Sequence, residues 1–195
     1  MRNVGVAGLG AMGEPIARHL HQAGMLRAVH NRTAAKADAL AAELGVEAIH
    51  DATALAQACD VVVTSVTADA DVVGLAEAFA RASRIGLLMI DTSTIASANA
   101  RRAAEILRSA GGDFIDAPVS GGVEGARNGR LSVMAGGEPA ALERALPVLQ
   151  CFAARVTHMG PVGAGQDTKA VNQVLVAGLA QAVCEGLALG EALGL

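Results

Sequence analysis

Apolar positions along the chain fall into two alternating patterns: short continuous runs and longer stretches with helical spacing. Residues 3–8 (Asn-Val-Gly-Val-Ala-Gly) predict a strand, and residues 12–23 predict a helix closed by Gly24. A second strand over 28–31 gives way at Thr33, an N-cap residue type, to an alanine-rich helix ending at Gly45. Residues 60–65 and 86–91 are largely uninterrupted apolar runs, the pattern of strands buried on both faces. Helices are predicted at 68–80, 97–110 and 139–150, with further strands near 113–116, 131–135 and 154–158. Strands alternating with helices of this length predict parallel βαβ units and a doubly wound, mostly parallel α/β sheet.

From residue 168 to 195 there is no proline and no turn cluster, which predicts one long helix. Its apolar residues, among them Val171, Leu175, Leu179, Val183 and Leu187, occupy nearly every face. Gln181, Glu185 and Glu191 argue against a membrane span. A helix that is apolar all round expects a cover. The preceding α/β part of the chain can supply it on one face only, so the rest is expected to meet another domain or a second subunit, as in a homo-oligomer.

The 195 residues are 52% hydrophobic and 17% charged, which excludes disorder and is ample for a core. Aromatics are only 2%, so Ala, Val, Leu and Ile must build that core. A formal net charge of -4, with no basic run and no aromatic platform, argues against nucleic acid as a partner. Cys59, Cys151 and Cys184 are widely spaced and odd in number, so they are read as small buried hydrophobes, with neither a disulfide framework nor a metal site. Arg2 before an apolar run looks like a secretory leader, but Glu14 and Arg18 interrupt the run, and a cytoplasmic protein is expected.

The chemistry begins in the segment joining the first strand to the first helix. Gly8-Leu9-Gly10-Ala11-Met12-Gly13 is a GxGxxG sequence in a strand–turn–helix context. Gly8 permits the tight turn, Gly10 lets backbone approach a pyrophosphate, and Gly13 lets helix and strand pack closely. The helix N-terminus adds free N–H groups and a positive dipole end for phosphates. These features define a Rossmann-type dinucleotide site. Asn31, 23 positions after Gly8, stands where an NAD site usually carries an acidic residue, and Arg32 and Thr33 follow. Without a carboxylate to repel a 2′-phosphate, and with a guanidinium to pair with it, NADP is favoured and NAD is the alternative.

Two more segments carry polar groups. Asp116-Ala117-Pro118-Val119-Ser120-Gly121-Gly122 follows a strand, where an open α/β sheet places ligands. Ser120 offers a hydroxyl, and Gly121 and Gly122 allow an anion-binding nest, although the segment equally fits an ordinary turn. Lys169 and Asn172 are three apart and share a helix face. The chain has only one other lysine, Lys36, so Lys169 in an apolar stretch is a candidate proton donor/acceptor.

The glycine loop, Asp91-Thr92-Ser93-Thr94, residues 116–122 and residues 160–173 together resemble the β-hydroxyacid dehydrogenase family. That family includes 3-hydroxyisobutyrate dehydrogenase and tartronate semialdehyde reductase and is related to 6-phosphogluconate dehydrogenase. The resemblance implies that the glycine loop, Ser65, Val66 and Thr94 contact the cofactor. It also implies that Ser120, Gly121 and Gly122 hold a substrate carboxylate, that Asn172 orients the substrate, and that Lys169 is the acid/base. The family pattern has Leu-Pro where this chain has Val66-Thr67. Family members also continue through the long helix into an all-α domain. The expected organisation is therefore a dinucleotide-binding domain over residues 1–165, then residues 166–195 as the first part of an interdomain helix whose all-α domain is missing. The implied activity is hydride transfer between a nicotinamide cofactor and a small hydroxy acid or its semialdehyde. The alternative is a dinucleotide-binding module without turnover.

Overall fold

A computed structural model describes residues 3–195. Arg2, the basic residue of the leader-like N-terminus, lies outside them. The first half alternates strand and helix. β1 (Val4–Ala7) leads to α1 (Gly13–Gln22), and β2 (Leu26–His30) leads to α2 (Ala34–Leu44). The short β3 (Glu47–Ala48) and α3 (Ala52–Ala58) precede β4 (Val61–Thr64) and α4 (Asp69–Arg81). β5 (Leu88–Asp91), α5 (Ser97–Ser109) and β6 (Asp113–Asp116) complete this half. Then come β7 (Val119–Ser120), α6 (Gly122–Arg127), β8 (Leu131–Gly136), α7 (Pro139–Leu149) and β9 (Ala153–Gly160). The last element is the long α8 (Ala164–Ala192).

The described strands form one sheet in the order β3-β2-β1-β4-β5-β6-β8-β7, with β9 paired to β8. Pairing is parallel from β3 through β6 and antiparallel at β6–β8 and β7–β8. The fold is thus an α/β, Rossmann-like, mostly parallel sheet followed by a long helix. Strand order reverses between β1 and β4, and a crevice opens beyond the carboxyl ends of strands at such a switch point.

β4 shows why the strands read as continuous apolar runs. Val61 and Val63 enter the core cluster on one face of the sheet, with Ile16, Leu20 and Phe152. Val62 enters the other, with Leu55, Phe79 and Leu107. Helices cover both faces, so successive side chains must both be apolar.

Several expectations need correction. β2 starts at Leu26, and α8 starts at Ala164, earlier than the apolar patterns alone indicated. Thr33 occupies the N-cap position of α2, but its side chain makes no capping bond. α3, absent from the sequence reading, has its cap in Asp51, whose side chain accepts the Ala54 N–H at 2.7 Å. In the segment 116–122, which by sequence fits an anion-binding nest and an ordinary turn equally, Val119 and Ser120 form the short β7, and Gly121 and Gly122, with φ of 131° and 62°, open α6.

α8 departs furthest from expectation. Only Gly165, Gln166 and Lys169 are buried on it, so the domain holds its first turns and covers no face of the remainder. Cys184 lies on that remainder and is exposed, against the expectation of three buried cysteines; Cys59 is buried and Cys151 half-buried.

Candidate active site

The three glycines of the first loop do different work. Gly8 has φ +92°, and a Cβ there would stand 2.2 Å from the Ser65 carbonyl oxygen. Its N–H donates to the His30 carbonyl at 2.9 Å, holding β1 against β2. A Cβ on Gly13 would stand 1.8 Å from the Gly8 carbonyl oxygen, so helix and strand meet there without room for a methyl group. A Cβ on Gly10 would meet nothing within 4 Å. The absence of a side chain at Gly10 therefore leaves space outside the protein, where a ligand backbone could approach.

A cleft of about 420 Å³ runs along this loop. It is lined by Gly8, Leu9 and Gly10, by Asn31, Arg32 and Thr33, and by Ser65 and Val66. Those eight candidate cofactor residues are therefore brought together. Ala11, Met12, Gly13 and Thr94 are not among the lining residues, and neither are Ser120, Gly121, Gly122, Lys169 and Asn172. Thr67 also lines the cleft, as do Lys36 and Asp71, which no sequence motif assigns to the site. Lys36 has a legible signal, since it follows Thr33 by three and lies in the first turn of the helix beside the cleft.

Asn31 turns out to be committed to the scaffold. Its Oδ1 accepts the Leu9 N–H at 2.9 Å, and its Nδ2 donates to the Thr33 carbonyl at 3.1 Å. It braces the glycine loop, while Arg32, Thr33 and Lys36 line the same cleft. Arg32 is 89% exposed and pairs with Asp71 across the cleft at 3.4 Å. Such an exposed pair is worth no more than about 1 kcal/mol.

Behind the lining residue Val66 lie the ends of β4 and β5. The Val66 N–H donates to Ser93 Oγ at 2.9 Å, and the Thr64 hydroxyl donates to Asp91 Oδ1 at 2.7 Å. Asp91 is completely buried, and burial, partly offset by the Ser93 and Thr64 hydrogen bonds, pushes its carboxyl up to about 6.

The start of α8 is anchored to the strand ends. The Asp116 carboxylate accepts the Gly163 N–H at 2.8 Å and the Gln166 N–H at 3.0 Å, satisfying donors at the helix N-terminus. Gly165 lies so close to Asp116 that a Cβ there would be 2.8 Å from its Oδ2. Burial still holds the Asp116 carboxyl above the usual range despite these bonds. One turn further on, Lys169 is 9% exposed, and burial lowers its pKa. A lowered ammonium pKa brings the neutral amine closer to working pH, the property an acid/base needs. Asn172, on the same helix face, carries a buried Oδ1 without a partner among the described residues.

A glycine loop at the switch point of a parallel sheet, with a long cleft beside it, defines a dinucleotide-binding domain of the kind oxidoreductases use. Residues 3–160 match the family described as the NAD binding domain of 6-phosphogluconate dehydrogenase. The chain belongs to that family, within the β-hydroxyacid dehydrogenases. It superposes on 3-hydroxyisobutyrate dehydrogenase from Mycobacterium tuberculosis, solved with L-serine, with a TM-score of 0.94 and 37% identity. That match covers 100% of this chain and 67% of the other. An NAD-dependent L-serine dehydrogenase from Pseudomonas aeruginosa is 38% identical over 198 residues, covering 100% of this chain and 66% of that protein. The 2-hydroxy-3-oxopropionate reductase of Escherichia coli is 35% identical over 194 residues, covering 98% and 66%. The chain thus spans about two thirds of the length of these relatives.

Proposed function

We propose that the protein is an NADP-dependent oxidoreductase. It transfers a hydride between nicotinamide and a small β-hydroxy acid or its semialdehyde, of the 3-hydroxyisobutyrate or 2-hydroxy-3-oxopropionate type. The observation that carries this reading is the open face of Gly10 in a cleft whose far end holds Arg32, Thr33 and Lys36. The family does not decide between the cofactors, since one relative is NAD-dependent by name. The preference rests on the absence of a carboxylate at Asn31 and on the cations beside it.

When bound, the nicotinamide dinucleotide supplies or accepts the hydride. The glycine loop holds its pyrophosphate, with Ala11 and Met12 at the mouth of α1, while Ser65, Val66 and Thr94 contact its ribose and nicotinamide end. Ser120, Gly121 and Gly122 hold the substrate carboxylate, and Asn172 orients the reacting carbon. In reduction, Lys169 gives its proton to the developing alkoxide; in oxidation, the neutral amine removes the hydroxyl proton. A dinucleotide-binding module without turnover is the second reading, favoured by the fact that Lys169 and Ser120 do not line the described cleft. Turnover of a small hydroxy acid that depends on Lys169 separates the two.

Cofactor titrations test the first reading directly. Arg32→Ala is expected to weaken NADPH about tenfold or more, as expected for the loss of a charge-assisted hydrogen bond, and to leave NADH within about twofold. Equal affinities of the unmodified chain for both cofactors would remove the preference.

The apolar sides of α8 belong to the same reading. By length and composition this helix could cross a membrane, but Glu185 and Glu191 within it favour a protein cover. We read residues 166–195 as a packing surface for helices of a second copy or a further domain, and the protein as cytoplasmic. Leu179 and Leu187 are both exposed. Light scattering is expected to show a dimer or larger species, and Leu179→Glu with Leu187→Glu is expected to yield a monomer. An unmodified chain that stays monomeric would remove the second copy as the cover.

A further inference from the structure

Asp91 has no part in the chemistry above, yet it is completely buried at the end of β5. Its Oδ1 takes three donors: the Thr64 hydroxyl at 2.7 Å, the Ser93 hydroxyl at 2.7 Å and the Ser93 N–H at 3.3 Å. Its Oδ2 has no partner among the described residues. The Ser93 hydroxyl, while donating to Asp91, accepts the Val66 N–H, and Val66 lines the dinucleotide cleft. Thr92 closes the same corner by donating its hydroxyl to the Thr64 carbonyl at 2.8 Å.

The chain of bonds continues in the other direction. The Ser93 carbonyl accepts Gln166 Nε2 at 2.8 Å, and Gln166 Oε1 accepts the Ile95 N–H at 3.1 Å. Gln166 is 2% exposed and does not line the cleft. It precedes Lys169 by three residues on α8, so it stands one helical turn away on the same side. Buried hydrogen bonds linked in this way hold their members in one arrangement.

We propose that Asp91, Ser93 and Gln166 act as one positioning unit that fixes residues 65–67 of the cleft wall relative to the helix carrying Lys169. This inference rests on the reading of the cleft as a dinucleotide site and of Lys169 as the acid/base. The unit works through acceptor geometry rather than charge, because every bond to Asp91 is made on Oδ1. A proton on this carboxyl would sit on the partnerless Oδ2 and leave Oδ1 accepting. Asn supplies the same acceptor, whereas Ala supplies none.

NADPH titration of the 195-residue chain, alongside thermal unfolding, tests the unit. Gln166→Leu and Ser93→Ala are each expected to weaken NADPH about fivefold or more, at temperatures where the variants remain folded. Gln166 does not line the cleft, so loss of stability alone would not move its affinity. Asp91→Ala should match or exceed that loss, while Asp91→Asn should stay within about twofold of the unmodified chain. With ¹³C-dimethylated lysines, the Lys169 resonance should titrate nearer the ordinary lysine range in Gln166→Leu, and unchanged in Asp91→Asn. If Asp91→Ala does not fold, Ser93→Ala and Gln166→Leu decide the outcome. Folded Ser93→Ala and Gln166→Leu that bind NADPH within twofold of the unmodified chain would overturn the proposal. So would an Asp91→Asn that fails as badly as Asp91→Ala. An unmodified chain that saturates with neither NADPH nor NADH overturns the dinucleotide reading itself, and this inference with it.

Discussion

Gly13→Ala is expected to abolish dinucleotide binding and to destabilise the chain by at least about 3 kcal/mol, the upper range for overpacking. The added methyl group would lie 1.8 Å from the Gly8 carbonyl oxygen, and 3.2 Å from Ser65 Cβ. Neither neighbour is the flexible end of a side chain. Relief would require β1 and α1 to separate, which opens the core around Ile16 and Leu20. Gly10→Ala makes the informative partner, because its Cβ points into open space. Its stability should stay within about 0.5 kcal/mol of the unmodified chain, as for an exposed site. Its NADPH affinity should still fall about tenfold or more, or about 1.4 kcal/mol. Denaturant unfolding and cofactor titration on both variants separate the two roles. A Gly10→Ala chain that binds NADPH normally would mean that no pyrophosphate passes there.

Lys169→Ala is expected to lower turnover of a small hydroxy acid by at least roughly 100-fold, the low end for a positioned acid/base. Cofactor affinity should change little, because Lys169 does not line the described cleft. The sign of the pH dependence follows from burial, which lowers the Lys169 pKa. Oxidation needs the neutral amine, so its rate rises with pH and levels off below the ordinary lysine range. Reduction needs the ammonium, so its rate falls through the same pH interval. In Lys169→Ala both limbs should vanish along with most of the rate. A mutant that keeps most of its rate and its pH profile would assign the proton transfer to another group.

The two variants also differ in how far the sequence leads to them. The spacing of Gly8, Gly10 and Gly13 is legible because strand, turn and helix follow each other directly, although the Ser65 carbonyl that crowds Gly8 comes from far along the chain. The apolar runs at β4 and β5 were legible for a similar reason, since burial on two faces leaves no polar position. β3 leaves no signal in the sequence, because two residues carry no period. The start of α8 is hidden in the sequence because Gly163 and Gly165, which have the character of loop residues, are held against β6 and β8 by the Asp116 carboxylate and backbone.

Long-range polar contacts were beyond the sequence. Asn31 read as a cofactor ligand by its position, and only the folded chain shows its amide spent on Leu9 and Thr33. Arg32 meets Asp71 from 39 positions away, and Gln166 meets Ser93 from 73. By itself, the sequence determined the alternation of strands and helices, the glycine loop between β1 and α1, and the shared helix face of Lys169 and Asn172. These follow from periodicity and local backbone freedom, which act over one or two turns of chain. Only the tertiary structure decided what Asp91, Asp116 and Gln166 do. A buried polar group takes its role from the donors and acceptors that the sheet order brings to it, and that order joins strand ends far apart in the chain.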